Sequence, residues 1–125
     1  MARLATTTAA GRPHIVPVTF AVDGDIIYTA VDAKPKSTRN LRRLRNIRGN
    51  ARVAVLADRY DEDWTSLWWV RADGAATIIE DPRRLASPVT LLAARYPQYR
   101  DQPPAGPVIA ISVDRWTGWS GRPAG

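Results

Sequence analysis

Short apolar runs separated by turn residues dominate the first third of the chain, and their alternation predicts β-strands. Residues 3–8 form the first run and end at Ala10-Gly11. The second run, 13–22, ends at Asp23-Gly24, and the third, 26–31, follows at once. Because Asp-Gly between two apolar runs is typical of a tight hairpin, the second and third runs are predicted to pair antiparallel.

Four more strands are predicted further along, over residues 52–57, 64–72, 75–80 and 107–113. Asp73-Gly74 is interpreted as the turn between the second and third of these. Trp68 and Trp69 are adjacent on a strand, so their side chains are expected on opposite faces, with only one entering the core. Arg115-Trp-Thr-Gly-Trp lies beyond the last predicted strand and is interpreted as a tail that reaches a neighbouring subunit.

Two helices interrupt the strands. Ser37 and Thr38 are good N-cap residues, an apolar stripe of leucine and isoleucine follows, and Gly49 stands where a helix ends. The second helix begins at Asp81, stops before Tyr96, and is expected to kink or split at an internal proline. Short antiparallel strands with few helices predict a mainly β fold, a small closed or half-closed barrel, as a single domain over residues 1–125.

The amino-acid composition indicates the cellular compartment of the protein and excludes some kinds of site. Cysteine is absent, which excludes a disulfide framework, a thiolate nucleophile and a cysteine metal site and fits a reducing cytoplasm. No stretch reaches the ~20 apolar residues that span a bilayer, and the N-terminus lacks the pattern of a signal peptide. The sequence therefore predicts a cytoplasmic protein without a membrane partner.

Charge is concentrated in one segment. The net charge is +6, and residues 33–57 carry eight of the eighteen lysines and arginines and no carboxylate. So dense a block of like charge repels itself unless an anion lies against it. Nucleic acid is one such anion, but the exposed aromatics that accompany nucleic-acid binding are missing from the segment, which makes it the weaker interpretation.

The start of the first helix is the predicted anion site. Backbone N–H groups at a helix N-terminus are unpaired and bind anions. Lys34, Lys36, Ser37, Thr38 and Arg39 are placed to converge on a phosphate-sized volume there. The arginines nearer the end of the helix are interpreted as a solvated face, because cations stabilise a helix C-terminus.

No catalytic side chain stands out. His14 is the only histidine, and no serine–histidine–aspartate arrangement, phosphate-binding P-loop or dinucleotide fingerprint is present. The acidic residues at 58–63 are interpreted as a solvated loop rather than a metal site. No catalytic or metal-binding residue is therefore assigned, and any chemistry is expected to belong to a bound cofactor.

Several segments together resemble a known family. They are Arg3-Leu-Ala-Thr, Gly11-Arg-Pro-His-Ile-Val-Pro-Val-Thr-Phe, Asp32-Ala-Lys-Pro-Lys, Asn40-Leu-Arg-Arg-Leu-Arg-Asn-Ile, Leu67-Trp-Trp-Val-Arg-Ala-Asp-Gly and the C-terminal Arg115-Trp-Thr-Gly-Trp. They resemble the split-barrel flavin and deazaflavin oxidoreductases related to pyridoxamine-phosphate oxidase, most closely the branch of probable F420-dependent enzymes. Members of this family usually carry a helix before the first strand, whereas this chain starts at that strand.

The resemblance implies a six-stranded antiparallel split barrel that forms a homodimer, with a cofactor in the groove between subunits. It also implies which residues bind the cofactor. The ring-contacting strand corresponds to Val16, Pro17, Val18 and Thr19. The next strand and the phosphate loop correspond to Thr29, Ala30, Lys34, Pro35, Lys36, Ser37 and Thr38, with Arg39 opening the helix.

The function implied is hydride transfer between reduced coenzyme F420 and a small organic acceptor. The phosphodiester and polyglutamate tail of F420 are anionic and suit the excess of arginine. Two alternatives stay open, an FMN-binding oxidoreductase of the same fold and a non-catalytic cofactor-binding protein. His14 is a possible proton donor, but a structural role on its strand is favoured because no orienting partner is evident.

Overall fold

The structure, a computed structural model, describes residues 1–31, 38–104 and 106–122, and only the backbone of residues 38–41. The strands are β1 (Ala2–Thr7), β2 (Pro13–Val18), β3 (Ala21–Asp23), β4 (Ile26–Ala30), β5 (Arg52–Arg59), β6 (Trp68–Ile79) and β7 (Val108–Ser120). The helices are α1 (Thr38–Gly49), α2 (Pro82–Arg95) and α3 (Gln98–Asp101), with a 3₁₀ turn at Trp64–Ser66.

The described strands form one antiparallel sheet in the order β2-β1-β5-β6-β7-β4-β3. Its inner face wraps around a single core in which Leu4, Ile109 and Ile111 are fully buried. A second, smaller cluster around Leu92 joins α2 to the outside of β3 and β4. The mainly β split-barrel fold is confirmed, with seven strands where the resemblance implied six and with three helices.

The predicted run 13–22 is two strands rather than one. The break between β2 and β3 is held by residues at the end of helix α2. The Phe20 N–H donates to the Tyr96 hydroxyl at 3.1 Å, and Arg95 donates to the Phe20 carbonyl at 3.0 Å. These side chains occupy the backbone groups that a continuous strand would offer to a ladder. The predicted Asp23-Gly24 hairpin is confirmed, with Gly24 at φ +60° between β3 and β4.

The predicted turn at Asp73-Gly74 is wrong. One long strand, β6, runs through both residues and pairs with β5 on one side and β7 on the other. Asp73 lies opposite Arg115 and Gly74 opposite Val113, so β7 carries one extra residue there, a β-bulge. A continuous strand is favoured because partners on both sides satisfy its backbone groups, which a turn would leave unpaired.

The two ends of the β6–β7 ribbon also differ from expectation. Trp64 lies in the 3₁₀ turn, where the Asp63 carboxylate accepts from the Thr65 N–H at 3.1 Å, and not on a strand beside Trp68. The C-terminal Trp116 and Trp119 lie within β7, paired with β6, rather than in a free tail. Strand β7 extends that far because β6 offers it an unbroken partner.

Both predicted helices are confirmed, and α3 is additional. Leu44 and Ile47 of α1 are buried in the main core, and the helix packs on β1 and β6. The Asp81 carboxylate caps α2 by accepting from the Arg83 N–H at 3.0 Å. Among the helices that the structure describes, none has the length and apolar character to cross a membrane.

Candidate functional site

An apolar groove of about 480 Å³ lies on the outer face of the sheet, across β2, β1, β5 and β6. Strand alternation builds it, because every second residue of these strands points away from the core. The lining residues are Arg3, Ala5, Ile15, Ala54, Leu56, Asp58, Trp69 and Arg71. Ile15 is 63% exposed, and Trp119, which pairs with Trp69 across the ribbon, is 51% exposed. Such a continuous apolar surface is typical of a binding face.

Two ion pairs border this groove. Arg3 contacts Asp58 at 3.0 Å, and Arg71 contacts Asp73 at 3.2 Å. All four side chains are partly exposed, so each pair contributes little to stability. Their effect is to neutralise the charge beside the apolar floor, which leaves the groove suited to a flat uncharged ring or to another apolar surface.

Strand β2 is an edge of the described sheet, so one row of its backbone groups has no strand partner there. Pro13 and Pro17 lie four residues apart and share a side of the strand. Edge strands tolerate proline because its missing N–H belongs to the unpaired side. The free edge of β2 therefore offers carbonyl acceptors and the N–H of Ile15 directly beside the groove.

The predicted ring-contacting residues divide between the two faces of β2. Val16 and Val18 point inward and pack on the core, whereas Pro17 is exposed on the outer face. The Thr19 hydroxyl lies 2.8 Å from that of Tyr99. Contact between this strand and a ligand would therefore use the main chain and Pro17 rather than the valine side chains.

The remaining predicted residues lie around the segment that joins β4 to α1. Thr29 and Ala30 are buried at the end of β4, and the Thr29 hydroxyl has no hydrogen-bond partner among the described residues. Lys34, Pro35, Lys36 and Ser37 lie outside the described residues. Thr38 and Arg39 open α1, where the backbone alone is described.

A polar cluster that the sequence analysis missed lies where α1 crosses β1 and β2. Asn46 donates to the Thr6 hydroxyl at 3.0 Å, and Thr6 lies opposite His14 on β2. Arg43, one turn before Asn46, is only 7% exposed. Arg43 was not among the predicted site residues, and its spacing of four from the buried Ile47 was the available signal that both lie on one helix face.

Charge and burial act together on this cluster. Burial lowers the pKa of His14, and the positive charges of Arg42 and Arg43 lower it further. Burial also lowers the pKa of Arg43. Both effects favour the neutral form of the His14 imidazole, and its pKa reports on the charge around it.

Two further cavities lie at the end of the barrel opposite α1. The inner face there opens into an apolar cavity of about 190 Å³ whose walls include Trp68 and Trp116. Both tryptophans are exposed at the rim, at 40% and 44%, and Trp116 donates to Asp25 at 3.0 Å. Trp68 and Trp69 do occupy opposite faces as predicted, but neither is fully buried. Arg59 and Arg122 line a polar cavity of about 300 Å³ beside Trp68.

The acidic segment after β5 is folded on itself. Asp61 accepts from the Asp63 N–H at 2.9 Å, and the hydrogen bond from the Thr65 hydroxyl lowers the pKa of Asp63. Within residues 1–31, 38–104 and 106–122, no three histidine or acidic side chains come together in a group that could hold a metal ion.

Comparison with known proteins relates this architecture to one family. A family model described as pyridoxamine 5'-phosphate oxidase matches residues 1–120. A comparison with curated proteins found no match. Three solved structures share the fold. The conserved hypothetical protein Rv2991 from Mycobacterium tuberculosis has a TM-score of 0.78 and 25% identity, over 97% of this chain and 77% of that one.

The other two are more distant in sequence and carry different ligand names. A FAD-binding protein (mll6688) from Mesorhizobium loti has a TM-score of 0.71 and 19% identity, over 94% of this chain and 83% of that one. HutZ, the heme storage protein from Vibrio cholerae, has a TM-score of 0.73 and 16% identity, over 95% of this chain and 84% of that one. At these identities the likeness is one of fold.

Proposed function

The chain belongs to the pyridoxamine 5'-phosphate oxidase family, and we propose that it binds coenzyme F420 and transfers hydride between this cofactor and a small organic acceptor. The observation that carries the proposal is the free edge of β2, which borders an apolar groove of about 480 Å³. The cationic segment over residues 33–57 follows the β3–β4 hairpin along the chain. The apolar groove would take the ring of F420, the free edge of β2 would take the polar edge of that ring, and the cationic segment would take the anionic tail.

The groove fits a flat tricyclic ring in size and chemistry. Its volume lies within the ~300–1,000 Å³ typical of ligand sites, and its walls are apolar. Of the predicted residues Val16, Pro17, Val18 and Thr19, Pro17 has its main chain on the free edge, and its carbonyl would hold the polar edge of the ring beside the Ile15 N–H. Lys34, Pro35, Lys36, Ser37, Thr38 and Arg39 would hold the phosphate, with Thr29 and Ala30 beneath. The bound cofactor supplies hydride transfer, and the protein supplies position and charge.

The amount of positive charge favours F420 over FMN. FMN ends in one phosphate, which two lysines and a helix N-terminus can satisfy. The segment over residues 33–57 carries eight cations, and Arg42 of α1 is exposed there. A polyanionic tail gains from each additional cation, whereas a single phosphate does not.

The groove also supports the proposal of a homodimer with the cofactor at the subunit boundary. Ile15 and Trp119 expose more than half of their side-chain surface on this face. A second copy packed on it would bury both, and a twofold interface brings the same apolar patch from each subunit together. The cofactor ring would then lie between the two β2 edges.

We expect Ile15→Glu to dissociate this dimer, because the substitution would place a carboxylate in a desolvated apolar contact. Sedimentation velocity at micromolar concentration should show a dimer for the native chain and a monomer for the variant. Tyr60→Glu is the matched control, since Tyr60 is 84% exposed and lies outside the groove. A native chain that sediments as a monomer, or an Ile15→Glu dimer as stable as the control, would contradict the proposed interface.

The cofactor is tested by titrating the purified apo-protein with F420, FMN and heme. Five tryptophans, two of them beside the groove, provide the fluorescence signal. F420 is expected to bind tightest, and tighter binding of FMN would overturn the choice of cofactor. If the protein binds one equivalent of heme and neither F420 nor FMN, the redox function would be overturned. The chain would then be a heme-binding protein, as the name of HutZ describes that protein.

Turnover separates an enzyme from a carrier. Protein loaded with reduced F420 is mixed with a panel of quinones, enones and tetrapyrroles, and cofactor oxidation is followed by absorbance. Acceptor-dependent oxidation above the rate of free cofactor is expected. Tight binding without oxidation by any acceptor would instead favour the non-catalytic cofactor-binding protein.

A further inference from the structure

Arg43 is a buried cation held in place by the packing of α1. The hydrogen bond from Asn46 to Thr6 fixes the helix on β1, and Leu44 and Ile47 enter the core beside it. Residues three apart share a helix face, so Arg43 lies along the same line as Asn46, one turn nearer the helix start. The Arg43 side chain is therefore carried under the helix, at 7% exposure, rather than into solvent.

No acidic side chain in the described parts of the chain compensates this charge. The ion pairs there join Asp58, Asp61, Asp73, Glu80 and Asp114 to other arginines. The Arg43 Nε atom is buried and has no hydrogen-bond partner among the described residues. A buried cation without an anion is costly, so an arrangement that retains one is expected to gain an anion when it functions.

His14 contributes a second unpartnered polar atom to the same place. It lies opposite Thr6 on β2, and its Nδ1 atom is buried without a partner among the described residues. The charged groups near enough to shift its pKa are Arg42 and Arg43 of α1, while β1 presents the uncharged Thr6. Two arginines and an imidazole thus lie close together where α1 packs beside β2, and Arg43 and His14 each have an unpartnered buried nitrogen among the described residues.

We propose that Arg43, Arg42 and His14 form a binding site for an anionic group, a phosphate or a carboxylate, at the junction of β2 and α1. Guanidinium N–H groups match both oxyanions, and the imidazole adds a further donor. None of the three residues belongs to the predicted cofactor set, so the site does not depend on which cofactor occupies the groove. Its anion comes either from the cofactor itself or from a separate small molecule.

The direction of the His14 response follows from charge. In the free protein burial and the two arginines hold the His14 pKa below its ordinary value. An anion beside the imidazole favours its protonated form and offsets both effects. The midpoint of the His14 titration is therefore expected to move to higher pH when the site fills, and binding is expected to be tighter at lower pH.

Nuclear magnetic resonance can test this on the full chain, since its only histidine gives an unambiguous signal. The His14 titration is recorded with increasing inorganic phosphate and, separately, glutarate, at constant ionic strength set with sodium chloride. A saturable move to higher pH is expected with either probe. The proposal would be overturned if sodium chloride alone shifted the midpoint of the His14 titration by the same amount, or if saturating probe left the midpoint unchanged.

Variants locate the site on the helix. Arg43→Gln is expected to weaken phosphate binding at least about 10-fold and Arg42→Gln about 3-fold, whereas Arg45→Gln on the exposed face of α1 should leave it unchanged. If Arg43→Gln does not fold, Arg43→Lys, which keeps the charge but loses the planar fork, should still weaken binding measurably. Equal binding by Arg42→Gln, Arg45→Gln and the native chain would overturn the site.

Adding the cofactor first identifies the source of the anion. If F420 or FMN moves the His14 midpoint and abolishes the phosphate response, the cofactor's own phosphate or carboxylate fills the site. If the phosphate response persists in the loaded protein, the site serves a separate anion. Failure of the cofactor titrations with a persistent phosphate response would refute the proposed function alone, and the reverse pattern would refute this site alone.

Discussion

Replacing Lys34, Lys36 and Arg39 together by glutamine is expected to lower the affinity for F420 by about 100-fold. Three charge-assisted hydrogen bonds to a phosphate, each contributing about 1 kcal/mol, give a loss of about 3 kcal/mol. Fluorescence titration of native and variant protein measures the two dissociation constants. The loss should shrink as salt increases, because added ions screen these contacts in the native chain.

A second triple variant controls for net charge. Arg45→Gln, Arg83→Gln and Arg84→Gln also remove three positive charges, from exposed positions on α1 and α2. Less than a 3-fold change in F420 affinity is expected for this control. Equal losses in the two triple variants would show that general charge, and not the segment between β4 and α1, attracts the cofactor.

Gly74→Ala is expected to destabilise the fold by about 3 kcal/mol. A Cβ atom at this position would overlap the backbone carbonyl oxygen of Ser112 and crowd the side chain of Ile111. The oxygen belongs to the neighbouring strand β7, so relief requires the β6–β7 ladder to move at its bulge. Urea denaturation followed by tryptophan fluorescence measures the free energy of unfolding.

Gly49→Ala is the matched control for this prediction. Gly49 ends α1 with nothing within 4 Å of the position of an added Cβ, and its φ is not positive. The same substitution there should be neutral or slightly stabilising, because alanine loses less backbone entropy on folding. Equal stability of the two variants would mean that Gly74 does not lie against Ser112.

The bulge at this glycine also orients charged side chains on the ribbon. The extra residue of β7, Asp114, pairs with Arg52 of β5, and this hydrogen bond lowers the pKa of Asp114 and raises that of Arg52. Both groups are exposed, so the pair aligns the strands more than it stabilises them.

Part of the candidate site could be predicted from the sequence. The charged segment and the helix that follows it are local features, so Thr38–Gly49 and its cationic face were readable from residue order. The groove was not, since its floor combines alternate residues of four strands that are distant in sequence. Ile15 and Leu56 are unremarkable in their own strands and become a surface only when β2, β1 and β5 pair.

By itself, the sequence determined the features that depend on neighbouring residues, namely the Asp23-Gly24 hairpin, the Asp81 cap, the alternation of strand faces and the density of positive charge after β4. Tertiary structure alone decided whether Asp73-Gly74 turns or continues and whether Arg43 is buried or faces water. The physical reason is that a turn, a bulge and a buried charge can arise from the same local pattern. Only the partners supplied by distant segments determine which of them has the lowest free energy.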